Sequence, residues 1–234
     1  MKIGIIGALN QEIEALRDII DGVKTEKISS VDFYSGKISG TDVIVAAAGV
    51  GKVNAAVTAQ TMILKYAPDL IINVGAAGGL SPKLGIGNIA IAESVAEHDM
   101  DTTAIGDPKG LISGLDTVFI DCDKKIIDLM DNAAKKTGLA VERGVIASGD
   151  QFICTNEERN RIIKEFCAIA AEMEGASIGH VCAMNGVPFG VLRAISDGAN
   201  SDSVMDYPTF AEMAAKNSTL IIKYMLEELR NEKN

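Results

Sequence analysis

The chain has 234 residues, of which 47% are hydrophobic, and it contains 23 glycines and no tryptophan. This length and composition fit a single α/β domain that spans residues 1–234. The formal net charge of −10, together with the absence of a basic run, argues against nucleic-acid binding and against binding to an anionic membrane, because both require clustered lysine and arginine.

Apolar runs bounded by glycine alternate with helical patterns along the chain. The first run, Lys2–Gly7, is too short for the apolar part of a signal peptide and is typical of a first strand, so we expect a cytoplasmic protein. Further strands are predicted at Val31–Ile38, Asp42–Ala48, Leu70–Gly75, Asn88–Val95, Gly144–Ser148, Ala168–Ala171 and Pro188–Ile195. Helices are predicted at Gln11–Ile20, Lys52–Lys65, Lys124–Thr137, Asn156–Phe166, Gly175–Asn185 and Pro208–Leu229.

This alternation predicts a largely parallel sheet with helices on both faces. The consecutive strands Val31–Ile38 and Asp42–Ala48 are joined by three residues only, which indicates a hairpin and therefore a mixed sheet. Met100–Thr117 is the least patterned region of the chain and is predicted to be a long loop. Long loops in compact domains are often functional.

The cysteines and histidines do not indicate a metal site. His98 and His180 are the two histidines, and they are too few and too far apart for zinc. We therefore predict no metal site. The four cysteines have no C-x-x-C spacing and lie in apolar or helical contexts, which predicts reduced, mostly buried thiols: Cys122, Cys154, Cys167 and Cys182.

Two carboxylates flank a methionine where a predicted strand gives way to a helix. Glu172 and Glu174 lie at this junction, and such strand ends face the crevice where α/β proteins bind ligands. Alternatively, these acids only favour the positive end of the following helix. The same arrangement recurs around Glu12 and Asp197, which favours a site over the purely structural interpretation.

The glycine clusters do not match the common nucleotide-binding loops. The sequence around Gly51 and Lys52 resembles a phosphate loop, but Ala46 replaces its first glycine and Val53 replaces the hydroxyl residue after the lysine. Residues 73–79, Asn-Val-Gly-Ala-Ala-Gly-Gly, follow an apolar strand. They either present backbone N–H groups to a sugar or base or form only a tight turn.

Six motifs in order along the chain carry a family resemblance. They are Gly4–Ala8 with Glu12, Gly49–Ala56, Gly75–Gly79, Ser148–Ile153, Glu172–Ala176 and Arg193–Asp197. Together they resemble the 5′-methylthioadenosine/S-adenosylhomocysteine nucleosidases, a branch of the nucleoside phosphorylase superfamily. The resemblance implies a three-layer αβα sandwich with a mixed central sheet, a homodimer, and hydrolysis of adenine nucleosides without metal or cofactor.

The resemblance also implies roles for individual residues. Breaking a ribosyl–adenine bond requires a protonated leaving base and an activated water. Asp197 is expected to protonate adenine N7, and Glu12 to hold and deprotonate the water. Glu174 is expected to accept hydrogen bonds from the ribose hydroxyls. Further substrate contacts are expected from Val50, Ala76, Gly78, Phe152, Ile153, Glu172, Met173, Arg193, Ser196 and Tyr207, and from Thr102 and Ile105 of the partner subunit's loop.

The chain departs from the family pattern at positions that bear on substrate preference. Ala76 stands where serine is common, and Ile105 where an aromatic residue is frequent. The sequence leaves the choice among methylthioadenosine, S-adenosylhomocysteine, 5′-deoxyadenosine and aminodeoxyfutalosine open. A phosphorylase and a non-catalytic nucleoside-binding module are the alternatives. Against the phosphorylase, a carboxylate at Glu12 repels phosphate, and the binding module gives no reason for separate acids at Glu12 and Asp197.

Overall fold

The computed structural model describes residues 1–197 and 207–231. Its strands are β1 Lys2–Gly7, β2 Asp21–Ile28, β3 Val31–Ile38, β4 Thr41–Ala47, β5 Leu70–Gly79, β6 Ile89–Glu97, β7 Ile120–Asp121, β8 Val141–Ser148, β9 Ala168–Glu172 and β10 Phe189–Asp197. Its helices are α1 Asn10–Arg17, α2 Lys52–Tyr66, α3 Lys124–Lys136, α4 Asn156–Phe166, α5 Gly175–Asn185 and α6 Tyr207–Asn231.

The strands form one mixed sheet. Its order is β10-β6-β8-β9-β5-β1-β4-β3-β2, with β7 on β6, and β10 pairs with β5 as well as with β6. Strands β5, β9, β8, β6 and β10 therefore close into a ring. Among the described residues, five of the ten strand pairings are parallel and five are antiparallel. The mixed sheet is confirmed, whereas the expectation of a largely parallel one is wrong.

Two groups of helices cover this sheet. Helices α1 and α3 both pack on α6, while α2 packs on α5. The central strands are apolar along their length because both of their faces are covered: β1, β5 and β10 are buried at nearly every position. The result is the predicted αβα arrangement in which strand ends, rather than strand faces, remain available for a site.

The strand ends that carry the sequence motifs come together at one edge. Strand β10 runs parallel to β5 and brings Asp197 opposite Gly78. Strand β9 pairs with the same end of β5, so that Ala171 lies opposite Gly78. Glu12 lies in the first turn of α1, just after β1, which also pairs with β5. Acids that are distant in sequence thus meet around β5.

Some details differ from the sequence predictions. Strand β2 was not predicted, since seven of its eight residues are exposed and it has no apolar pattern. Cys122 and Cys182 are buried, but Cys154 and Cys167 are exposed, so the prediction of mostly buried thiols is wrong for half of them. The loop after β6 contains a short 3₁₀ turn, Thr103–Ile105. None of the described helices has the length and apolarity needed to cross a membrane.

Candidate active site

A cleft with an empty volume of about 570 Å³ lies at the edge where these strand ends meet. Eleven of the residues predicted from the sequence line it: Glu12, Val50, Ala76, Gly78, Phe152, Ile153, Glu172, Met173, Glu174, Ser196 and Asp197. Ala8, Leu9, Ala77, Gln151 and Ala171 complete the lining.

Glu12 is held in place by the backbone. Its Oε2 accepts hydrogen bonds from the N–H groups of Ala8 at 2.7 Å and Leu9 at 2.9 Å. The Leu9 contact caps α1, as a glutamate at the third helical position commonly does. Capping does not account for Oε1, which accepts the N–H of Ala76, on β5, at 3.0 Å. Glu12 is 4% exposed, so its carboxylate is fixed at the wall of the cleft and has little freedom to turn.

Glu172 and Arg193 form an ion pair whose side chains are 2% and 1% exposed. Glu172 also accepts the Ser148 hydroxyl and the N–H groups of Glu174 at 3.1 Å and Gly175 at 2.8 Å. The interpretation that Glu172 favours the start of the next helix is therefore correct in part, since Gly175 begins α5. The Arg193 guanidinium in turn donates to Asn73.

Arg193 does not line the cleft but lies behind its acids. Its Nη2 is 3.5 Å from Glu174 Oε2. On the other side, a methyl group at Gly75 would overlap Arg193 Nη1 and lie 2.7 Å from Glu12 Oε1. The absence of a side chain at Gly75 thus lets Arg193 and Glu12 approach each other.

Glu174 faces the cleft in an unfavourable electrostatic environment. Burial and the neighbouring charge of Glu172 raise the pKa of Glu174 to about 7, although Arg193 and the N–H of Gly51 act in the opposite direction. That N–H donates to Glu174 Oε1 at 2.9 Å. The loop around Gly51, which resembles a phosphate loop, therefore donates a backbone hydrogen bond to the carboxylate of Glu174.

Among the residues that the structure describes, two side-chain donors contact Asp197. The Ser196 hydroxyl lies 2.9 Å from Oδ1, and Arg159 Nη2 lies 3.2 Å from Oδ2. Gly78 allows this placement, because a methyl group there would lie 3.2 Å from Oδ2. Asp197 and Glu12 therefore line the same cleft with different kinds of support.

Besides Arg193, two predicted residues lie outside the cleft lining of this chain. Thr102 precedes the 3₁₀ turn and Ile105 ends it, and Ile105 is 80% exposed. Tyr207 begins α6, and its side chain lies outside the part of the chain that the structure describes. Val50 and Phe152 are about half exposed at the mouth of the cleft.

Sequence reasoning missed two residues of the site. Gly75 lies within a recognised motif, but the need for glycine there comes from its contact with β10, which the sequence does not reveal. Arg159 lies in the first turn of α4, where a cation is unfavourable for the helix dipole. That anomaly is a signal visible in the sequence once the helix start is known.

The comparisons with known proteins agree with this geometry. A sequence model of the phosphorylase superfamily matches residues 2–227. The 5′-methylthioadenosine/S-adenosylhomocysteine nucleosidase of Shewanella halifaxensis is 40% identical over 232 residues, which are 98% of this chain and 100% of that protein. The chain belongs to this nucleosidase family of the phosphorylase superfamily.

Solved structures show the same similarity. The Neisseria meningitidis nucleosidase in complex with methylthio-immucillin-A is 35% identical, with a TM-score of 0.92, and the match covers 97% of this chain and 99% of that one. The futalosine hydrolase of Helicobacter pylori is 34% identical, also with a TM-score of 0.92, over 97% of this chain and 98% of that one. The αβα fold inferred from the motifs is thereby confirmed.

No group of three or more histidine, cysteine, aspartate or glutamate side chains suited to a metal ion occurs within residues 1–197 and 207–231. The buried acids of the cleft are instead bound by the guanidinium of Arg193 and by backbone N–H groups.

Replacing Glu174 by glutamine should change the pH dependence of stability. A carboxyl group whose pKa is raised to about 7 in the folded protein, from 4.5 in the unfolded chain, binds a proton more readily when folded. It therefore lowers stability progressively as pH rises from about 4.5 to above 7. Glu174→Gln removes this effect. The melting temperature of the variant minus that of wild type should therefore increase from pH 5 to pH 8.

Melting curves at both pH values measure this difference. Glu14→Gln is the matched control, since its side chain is 62% exposed on the surface of α1. The control should leave the wild-type pH dependence in place. A Glu174→Gln difference that stays constant from pH 5 to pH 8 would contradict the expected result.

Proposed function

We propose that this protein hydrolyses the N-glycosidic bond of 5′-methylthioadenosine and S-adenosylhomocysteine, and that it also accepts 5′-deoxyadenosine. The products are adenine and the 5-substituted ribose. The observation that carries the proposal is the presence of two differently supported carboxyl groups, Glu12 and Asp197, in one cleft. Membership of the nucleosidase family supports methylthioadenosine and S-adenosylhomocysteine as substrates.

The reaction divides between the two acids. Asp197 donates a proton to N7 of adenine as the C1′–N9 bond breaks, and positive charge develops on the ribose. Glu12 takes a proton from the water that adds to C1′. The fixed position of Glu12 suits a base, because its three backbone contacts keep the carboxylate in one orientation. Glu174 accepts hydrogen bonds from the ribose hydroxyls, and Met173 lies against the sugar.

Adenine is proposed to bind beside Phe152 and Ile153, which line the cleft just before α4. The half-exposed ring of Phe152 is proposed to stack on the base, and the backbone of Ile153 to form hydrogen bonds with its edge. This exposure does not support an ordinary core position for Phe152.

A phosphorylase reaction is less compatible with the site. Phosphate would have to bind among the carboxylates of Glu12, Glu172 and Glu174, which repel it. Arg193 is already paired with Glu172. Lys52 is paired with Glu97 at 3.0 Å and Asp99 at 2.7 Å. Water is the nucleophile that this charge distribution favours.

Aminodeoxyfutalosine stays an alternative substrate, because this chain is similar to the futalosine hydrolase of Helicobacter pylori. Incubation with each candidate nucleoside, with and without phosphate, and identification of the sugar product decides between these reactions. Free 5-methylthioribose formed at equal rates in both conditions supports the proposal, whereas a ribose 1-phosphate contradicts it.

We also propose a cytoplasmic location and a role in methionine salvage, the use to which the methylthioribose product would be put. The four cysteines are all free thiols, as is usual in a reducing compartment.

Glu12→Gln should nearly abolish turnover while nucleoside binding survives. The amide keeps the shape of the side chain but cannot accept the proton of the water, and loss of a general base costs about 10²–10⁴-fold in rate. Single-turnover rates and the dissociation constant of a non-hydrolysable analogue measure the two properties. A near-normal rate would show that Glu12 is not the general base.

Asp197→Asn should separate proton transfer from adenine binding. The amide can still donate a hydrogen bond to N7, so affinity for adenosine analogues should stay within about tenfold, or about 1.4 kcal/mol. Hydrolysis of methylthioadenosine should fall by about 10²-fold or more, because the amide has no proton to give.

A 5-methylthioribosyl nitrophenolate is the control substrate for Asp197→Asn. Its leaving group needs no protonation, so the variant should retain much of its activity on it. Equal losses on both substrates would show that Asp197 is not the acid for the leaving group.

A homodimer is proposed on the basis of an exposed apolar surface. Val53 and Leu64 of α2 and Met184 of α5 are 72%, 76% and 69% exposed, and these two helices pack side by side. Exposed apolar patches of this kind commonly mark protein–protein contacts. The loop with Thr102 and Ile105 is proposed to complete the pocket of the partner subunit.

Leu64→Glu should shift the protein towards monomer and reduce activity at low protein concentration. Sedimentation velocity and a dilution series of the specific activity measure the two effects. Leu220→Glu is the matched control, since Leu220 is a partly exposed leucine on α6. A wild-type monomer with full activity would rule out the dimer.

A further inference from the structure

Asp150 connects two chain segments that line different parts of the cleft. It belongs to the segment between β8 and α4, which also carries Phe152 and Ile153. Its Oδ1 accepts the N–H of Lys52, the first residue of α2, at 2.7 Å. Asp150 itself is not among the residues that line the cleft. Its contacts therefore act on the site through other residues.

The two peptide groups that flank Gly51 are held by carboxylates from distant parts of the chain. The Gly51 N–H donates to Glu174 Oε1 at 2.9 Å, and the next N–H, of Lys52, donates to Asp150. A methyl group at Gly51 would lie 2.9 Å from Asp150 Oδ1, and the φ of Gly51 is +98°, so the close approach of Asp150 requires glycine there. The position of the amide that binds Glu174 thus depends on Asp150.

Helix α2 has no capping side chain of its own. Its N-cap residue is Gly51, which makes no side-chain cap, and no acid lies in its first turn. The N–H groups at the start of a helix carry partial positive charge and favour a nearby carboxylate. Asp150 supplies this carboxylate from another element. Capping accounts for the side chain of Asp150 but not for the way its backbone is anchored.

The backbone of Asp150 is anchored to the side chain of the same lysine. Its N–H donates to Asp99 Oδ2 at 2.8 Å, and Asp99 Oδ1 lies 2.7 Å from Lys52 Nζ. The side chains of Lys52 and Asp99 are 20% and 18% exposed, so solvent and salt screen this ion pair less than a surface pair. The contacts form a closed ring through Lys52, Asp150 and Asp99. Such a ring fixes the spacing between the two segments, which a single cap does not.

We infer that Asp150 is a positioning residue for the proposed reaction: it holds the segment of Phe152 and Ile153 at a fixed distance from the Gly51 amide, so that Glu174 contacts the ribose hydroxyls when adenine is bound. This inference rests on the roles proposed above for Glu174 and for the adenine-binding segment. Loss of the Asp150 side chain leaves every reacting group in place but misaligns Glu174 with the ribose.

The test compares 5′-methylthioadenosine with its 3′-deoxy analogue, which lacks one hydroxyl offered to Glu174. In wild type, kcat/KM for the analogue should be lower by about 10- to 100-fold, the worth of a hydrogen bond to a charged group. In Asp150→Ala this factor should shrink by about threefold or more, the scale of losing one neutral hydrogen bond. A ratio between two substrates does not change when part of the enzyme unfolds, so a merely structural role would leave it unmoved.

Two further variants separate positioning from capping. Asp150→Asn keeps an oxygen that can accept the Lys52 N–H, so it should retain most of the wild-type factor. Asp123→Ala is the matched control, because Asp123 caps α3 by accepting the Ile126 N–H at 3.0 Å and is not among the residues that line the cleft. This control removes a helix cap and should leave the factor unchanged. A wild-type factor in Asp150→Ala, even with lower activity on both substrates, would overturn the inference.

Glu174→Ala distinguishes failure of this inference from failure of the proposed site. If Glu174 binds the ribose, this variant should bring the factor close to one, and adding Asp150→Ala should not change it further. If Glu174→Ala lowers the factor and Asp150→Ala does not, only the role of Asp150 is overturned. If Glu174→Ala keeps the wild-type factor, the proposed ribose contact is wrong and the inference falls with it.

Discussion

The site depends on the buried ion pair between Arg193 and Glu172. Removing two such charges from water costs several kcal/mol per ion, which is recovered only when the remaining hydrogen-bonding groups are satisfied. Here Glu172 accepts the hydroxyl of Ser148 and the amide of Gly175, while Arg193 donates to Asn73. These residues belong to β8, β9, β10, β5 and the start of α5. One electrostatic pair thus joins the strand ends from which the cleft is built.

The cleft is dominated by negative charge, and this distinguishes hydrolysis from phosphorolysis. Arg193 compensates Glu172 directly, and Glu174 lies within 3.5 Å of the same guanidinium. One cation thus serves two carboxylates, and the pKa of Glu174 rises to about 7 because burial and Glu172 outweigh it. A site of this kind stabilises an oxocarbenium-like sugar and repels a phosphate anion. The difference between a nucleosidase and a phosphorylase on the same fold can therefore lie in which buried charges of the site lack a compensating partner.

The sequence predicted the elements that follow simple apolar patterns and missed those that do not. Strands β1 and β3 and helices α4 and α5 were predicted with the observed ends, because apolar positions and glycines mark them. Strand β2 is almost fully exposed and offers no pattern. The acids of the cleft were predictable because they stand at or just after strand ends, within the motifs that carry the family resemblance. Gly75 and Arg159 were missed, since their contacts depend on β10 lying beside β5 and on Asp197 lying opposite α4.

The departure at Ala76 has a physical explanation in the same geometry. The contact that position 76 makes with Glu12 comes from its backbone N–H, at 3.0 Å, and any residue except proline supplies it. The support of the Glu12 carboxylate is therefore independent of the side chain at position 76, where the family pattern led us to expect serine.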